Sequence, residues 1–286
     1  MHNENGLTIF IMTVAILGVV QSPIETVATS AFKRILPTRK FPLNSDLRQS
    51  KAQLLGERVF KVTMSSLLTG LLFVILAGED CDFFDVRLGG KTERPLYFFN
   101  HPCQKLPARL DDFYVFKLGY HCYELLHTIA QDRRRSDYLE YLLHHFLTFS
   151  LILFSYKLNY LPVGAAVMIL HDVTDLCVSI FKLMIDVTPM FMQMTSYVLM
   201  FVTWVYFRLW FFPSHVILRI VEESSPWQGR LPFDLNSVLM LSFFLTLLLG
   251  MHIFWFYLMI KGIMKRFSSS TARDQVILQS NVNRVD

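Results

Sequence analysis

HHFLTFSLILFSYKLNYLPVGAAVMILHDVTDLCVSIFK, His144 to Lys182, is the stretch on which the reading of this chain turns. It holds two apolar runs joined by a short turn near Lys157 to Tyr160, and both carry ionisable groups: His144 and His145 in the first, His171, Asp172 and Asp175 in the second. An ionisable side chain at membrane depth costs about 2.5–3.5 kcal/mol on insertion scales, so such groups persist where they pair or do chemistry. In helical register His144 and Thr148 share a face while His145 points about 100° away. His171, Asp175 and Lys182 follow one face of the next helix, with Asp172 beside it. The short turn makes the two helices antiparallel neighbours, and a rise of about 1.5 Å per residue puts both polar groups in the same half of a bilayer.

The rest of the sequence is of the same kind. Hydrophobic residues make up 53% and charged residues 17%, against about 25% charged in a soluble domain. The sequence therefore predicts an all-α, polytopic membrane protein with about seven transmembrane helices, at 7–27, 58–77, 113–130, 139–156, 161–185, 190–207 and 238–260. Pro162, Pro189 and Pro213 are expected at the ends of spans. Basic residues collect in alternate connections: Lys33, Arg34, Arg39, Lys40, Arg48, Lys51, Arg58 and Lys61; then Arg133, Arg134 and Arg135; then Lys261, Lys265 and Arg266. That alternation puts the N-terminus outside the cytosol and the C-terminus inside it. The run Leu7–Val20 is read as a retained first helix, since His2, Asn3, Glu4 and Asn5 stand where a signal peptide would have a basic segment. The expected divisions are 1–54, a first helix with a basic cytosolic loop; 55–265, a multi-helix catalytic domain; and 266–286, a disordered tail.

Cys81 and Cys103 share the long second loop on the oxidising side, so they are the pair for which a disulfide comes into question; Cys122 and Cys177 fall within spans as small buried side chains. His121, Glu124 and His127 follow an i, i+3, i+6 spacing that is read as a polar stripe facing a cavity, with no metal site expected. His252 is read as a hydrogen-bonded packing residue. No repeat, phosphate loop or nucleic-acid module is present, and the net charge of +4 is that of cytosolic loops near anionic lipid.

Histidines beside carboxylates in a water-poor cavity suit acyl transfer. A neutral imidazole takes a proton or acts as a nucleophile, and a carboxylate supports the positive charge that develops. The competing reading is interhelical hydrogen bonding, worth about 0.6 kcal/mol per contact. His144, His145, His171, Asp172 and Asp175 are accordingly the candidate catalytic residues.

The quoted stretch resembles the signature segment of the ceramide synthases, membrane N-acyltransferases with a TLC domain. The match is carried by His144, His145, Thr148, Ser155, Tyr156, Asn159, Gly164, His171, Asp172, Asp175 and Lys182. A weaker likeness runs over about 55–265 and includes Arg133–Tyr138, Arg208–Pro213 and His252–Lys261. Two positions depart from the pattern: Pro162 stands where many members have arginine, and Ser179 where many have glutamate. The resemblance implies six helices ringed around a lipid cavity, in the endoplasmic reticulum or, alternatively, another organelle such as the mitochondrial inner membrane. It implies a fatty acyl-CoA as co-substrate and a sphingoid base as acceptor, without a cofactor, in a chain surrounded by membrane lipids and open to homo-dimers or larger assemblies. Thr148, Ser155, Tyr156, Asn159 and Lys182 become candidate substrate-binding residues, and Arg133, Arg134 and Arg135 candidates for the CoA phosphates. The alternative is a non-catalytic TLC-domain lipid-binding or structural subunit of a larger complex.

Overall fold

In lipid a long apolar segment satisfies its own backbone N–H and C=O groups only as a helix, and the described apolar segments obey that rule. The computed structural model describes residues 5–78, 97–98, 101, 105–131, 133, 137–224 and 235–268. Among them are seven helices: α1 (Gly6–Ile35), α2 (Asp46–Leu76), α3 (Leu110–Gln131), α4 (Tyr138–Lys157), α5 (Leu161–Met184), α6 (Met190–Glu223) and α7 (Leu235–Ser268). Each of the seven expected spans matches one of them, with 58–77 and 161–185 overrunning their helices by one residue. Five, α1, α2, α5, α6 and α7, are long and apolar enough to cross a membrane by length and composition alone. The other two carry more polar groups: Asp111, Asp112, Lys117 and Glu124 in α3, Glu140 and the paired histidines in α4.

Six helices close a ring in the order α2, α3, α4, α7, α6, α5 and back to α2, while α1 packs outside against α2 and α3. The main core is continuous across the ring, from Leu68 and Leu72 through Tyr114, Leu147 and Ile169 to Phe212 and Leu245. Gly56 lets α1 approach α2 closely, because a Cβ there would lie 2.7 Å from the Glu25 carbonyl oxygen.

Two helices exceed their apolar runs. α1 continues to Ile35 and α2 begins at Asp46, where the Ser45 hydroxyl accepts the Arg48 N–H at 3.2 Å. The basic loop expected between them is thus mostly helix, and the division at 54/55 falls inside α2. Two of its cations are structural. Arg48 is buried and donates to the carbonyls of Lys33 (2.7 Å), Leu36 (2.8 Å) and Phe41 (2.7 Å), closing the C-terminal end of α1. Lys51 is buried and pairs with Asp186 at 3.0 Å, and Lys40 reaches the same carboxylate at 2.5 Å. Asp186 lies in the α5–α6 turn with φ of 68°. Lys33, Arg34 and Arg39 are exposed at this basic end.

Pro213 corrects an expectation. It does not end its span; α6 runs through it to Glu223 because Trp204–Ile217 adopts π-helical hydrogen bonding. The wider i→i+5 turn makes room for the pyrrolidine ring, and the missing N–H removes a single rung. Pro162 and Pro189 do mark helix starts. α7 continues to Ser268, past the expected start of the tail. The tail beyond Ser268, with Cys81 and Cys103, lies outside the described residues.

The end of the ring opposite the basic one is stoppered. Glu223 accepts the backbone N–H groups of Tyr97 (3.3 Å) and Phe98 (2.9 Å), Tyr97 donates to the His215 carbonyl at 3.2 Å, and Phe98 meets Tyr160 edge-on. Burial, with Glu223 beside it, pushes the Tyr97 phenol above its ordinary pKa, so it stays a donor at any working pH.

Removing one member of a buried ion pair costs about 3–5 kcal/mol. Asp186→Asn, a residue that tolerates the left-handed turn, should therefore lower the melting temperature of the purified protein. Adding Lys51→Met should recover part of the loss, and thermal unfolding in detergent reads both.

Candidate functional site

The ring encloses one polar cavity. α3 supplies Lys117 and His121; α4 supplies His144, Thr148 and Ser155; α5 supplies Gly164, His171, Asp172 and Asp175; Leu241, Leu245 and Leu248 of α7 close the far wall. Helical spacing accounts for this. His144, Thr148, Leu151 and Ser155 form one stripe of α4, and Gly164, Val167, His171 and Asp175 form one stripe of α5. The space is about 60 Å³, room for a few water molecules and too little for an acyl chain until helices part.

The two aspartates are neutralised from different sides. Lys117 pairs with Asp172 Oδ1, both groups being almost fully buried. Arg208 of α6 reaches Asp175 Oδ1 at 2.5 Å and Thr174 Oγ1 at 2.5 Å, donates to the His171 carbonyl at 3.2 Å, and rests on the Trp204 ring at 4.3 Å. Asp172 is 8% exposed and Asp175 49%. Asp175 is one turn nearer the basic end and is the more exposed of the two.

Hydrogen-bond bookkeeping fixes the tautomers. His171 Nδ1 lies 2.6 Å from the Val167 carbonyl oxygen, which only accepts, so Nδ1 carries the proton. His171 Nε2 then presents a lone pair to His252 Nε2 at 3.0 Å, and His252 is the donor. His144 is different. Its ring packs edge-on to Trp255 with centroids 4.9 Å apart, and its buried Nδ1 has no hydrogen-bond partner. Thr148 Oγ1 and Asp172 Oδ2 are buried in the same condition. With His121 Nδ1, four unpartnered polar atoms surround one small cavity and form a receptive site.

Of the predicted site residues, His144, His171, Asp172, Asp175, Thr148 and Ser155 meet in the cavity. The others lie elsewhere. His145 turns off the α4 stripe and meets Tyr141 edge-on at 4.3 Å. Tyr156 stacks on Tyr114 at 6.1 Å. Asn159 sits at φ 58° in the α4–α5 turn, a conformation asparagine accepts more readily than most residues. Lys182 occupies the last turn of α5. Arg133 is exposed and donates to the Ile129 carbonyl at 2.8 Å, capping α3; Arg134 and Arg135 lie outside the described residues. The polar stripe of α3 divides among neighbours: His121 lines the cavity, Glu124 pairs with Lys61 of α2, and His127 lies 3.4 Å from Gln21 of α1. Among the described residues no three ligand-type side chains form a group able to hold a metal ion.

Sequence reasoning missed Lys117, and gave Arg208 and His252 no part in the site. The signal was present for Lys117 and Arg208, each a cation in an apolar helix, but only tertiary packing shows which carboxylate each serves.

Fold and site together define a polytopic helical membrane protein built around a buried histidine and aspartate centre. The chain belongs to the TLC-domain family, whose model matches residues 55–261. It is 26% identical to ceramide synthase LOH2 of Arabidopsis thaliana over 198 residues, 65% of each chain. It is 33% identical to ceramide synthase 4 of Bos taurus over 165 residues, 56% of this chain and 40% of the bovine one. ASC1-like protein 3 of Oryza sativa subsp. japonica matches at 24% over 228 residues, 79% of this chain and 77% of that one. The matched part is thus less than two thirds of the first two relatives' length.

Gly164 is the tightest point of the wall. A Cβ there would fall 1.9 Å from the Tyr114 hydroxyl, which donates to the Leu161 carbonyl at 3.0 Å. Overpacking of this kind costs about 1–3 kcal/mol, so Gly164→Ala should lower the melting temperature, and truncating the collision in Gly164→Ala/Tyr114→Phe should restore it in part.

Proposed function

We propose that the protein is a membrane N-acyltransferase that joins the acyl group of a fatty acyl-CoA to the amine of a sphingoid base. The observation that carries this reading is His144: a buried imidazole with an unpartnered Nδ1, beside Thr148 Oγ1 and Asp172 Oδ2, in a cavity whose two carboxylates are already balanced by cations. The names of the matched relatives support the same reaction.

In this reaction the amine nitrogen attacks the thioester carbonyl carbon and the carbon–sulfur bond breaks. His144 takes the proton lost by nitrogen and returns it to the departing thiolate, giving amide and free CoA thiol. The unpartnered donors and acceptors around it orient the reacting groups. The same His144 nitrogen is equally suited to carrying the acyl group itself before the amine arrives. His171 is held by Val167 and His252, which gives it a supporting part. Ser179, one turn beyond Asp175 towards the basic end, stands where the acyl-CoA would enter. We place the basic end in the cytosol, where acyl-CoA is supplied, and the protein in the endoplasmic reticulum membrane.

Purified protein given acyl-CoA and a sphingoid base should form amide. His144→Ala should reduce the rate by about 10²–10⁴-fold with an unchanged melting curve, and full activity in that variant would remove the assignment. Intact-mass measurement after acyl-CoA alone separates the two routes: an added acyl mass on the wild type, absent in His144→Ala, marks the covalent one.

A further inference from the structure

A second space lies on the outer face of the ring, between α4 and α7. It is an open groove of about 460 Å³, lined by Glu140 and Leu143 of α4 and by Phe243, Leu247, Gly250 and Phe254 of α7. Its size falls in the range of about 300–1,000 Å³ usual for ligand sites. The α7 residues recur at i, i+4, i+7 and i+11, one face of the helix. The two helices are antiparallel, with Phe154 stacked against Phe244 and His144 edge-on to Trp255. Glu140 therefore sits at the basic end of the groove, and the apolar wall runs from it towards the middle of the bundle.

Glu140 is what makes this more than a crease filled with lipid. The carboxylates of Glu124, Asp172, Asp175 and Asp186 are each paired with a cation. Half-buried Glu140 makes no ion pair or hydrogen bond among the described residues. A carboxylate at the rim of an apolar trough complements a single-chain amphiphile with a cationic head. It repels the phosphate of a phospholipid, and it repels acyl-CoA for the same reason. Glu140 is also i, i+4 to His144, so a head group held there lies about 6 Å along the helix from the proposed reactive nitrogen.

We infer that the α4–α7 groove is the docking site for a long-chain primary amine, with its ammonium on Glu140 and its hydrocarbon chain along α7. The inference rests on the amine-acylating reading above and supplies what that reading lacks, a separate place for the second substrate. Glu140 also sits in the first turn of α4, where a carboxylate stabilises the helix N-terminus. That role changes stability without discriminating between substrates.

The test uses the full chain in phosphatidylcholine nanodiscs with a sphingoid base bearing a diazirine in its chain. Crosslinks should map to residues 243–254 and be competed away by unlabelled base. Gly250→Phe fills the groove from a position where a Cβ meets nothing within 4 Å, so it should abolish the label without lowering the melting temperature. Glu140→Gln should weaken the base about tenfold, the loss expected for one charge-assisted contact, in both labelling and KM. Glu140→Asp should restore much of it, and the KM for acyl-CoA should not move. Labelling that unlabelled base does not displace means that the groove holds bulk lipid, and the proposal fails. It fails equally if labels fall elsewhere or if the acyl-CoA KM rises with that of the base. Because labelling needs no turnover, a chain that binds the base in the groove yet forms no amide refutes the reaction and keeps the site. Amide formation with labels outside the groove does the reverse.

Discussion

Asp172 and Asp175 sit on α5 at a depth where a lone carboxylate is costly, and Lys117 from α3 and Arg208 from α6 remove that cost. Because one cation reaches α5 across the ring from α3 and the other from its neighbour α6, α5 is held between them with its polar stripe turned inward. Lys61 and Glu124 do the same between α2 and α3. Helices in lipid gain little from apolar contact with one another, so these few charged contacts specify which helix meets which. The histidines are then presented to the cavity by a scaffold whose charges are already settled.

That arrangement separates structure from chemistry within one small volume. Carboxylates and cations satisfy one another, and the atoms left without partners around the cavity are His121 Nδ1, His144 Nδ1, Thr148 Oγ1 and one oxygen of Asp172. A cavity of about 60 Å³ favours solvent exclusion over storage of substrate. The apolar groove outside α4 and α7 is several times larger, so the proposed reaction would keep bulky hydrocarbon at the flank of the ring and the reacting atoms within it.

Much of this was legible in the sequence. Seven apolar runs gave seven helices, and a period of 3.6 residues brought His144, Thr148, Ser155, His171 and Asp175 to one place. The same period correctly turned His145 aside. Helix ends were less legible, since hydropathy stops at the first charge whereas a helix stops at its caps; Ser45 and the Arg48 contacts, not composition, define where α1 ends and α2 begins. The passage of α6 through Pro213 was hidden because a change of hydrogen-bond register leaves no trace in residue type. The services of Lys117, Arg208 and His252 were hidden because a partner 33 to 81 residues away looks like any other in a string of letters.

Asp186 carries a consequence for how the molecule is made. Its two lysines belong to the N-terminal hairpin and precede it by 146 and 135 residues. At a synthesis rate of about 5–20 residues per second they leave the ribosome on the order of ten seconds before the carboxylate that serves them both. During that interval their charge stays at the membrane surface, and the hairpin is free to drift. The arrival of the α5–α6 turn ends the wait, latching an earlier-made hairpin to a later one.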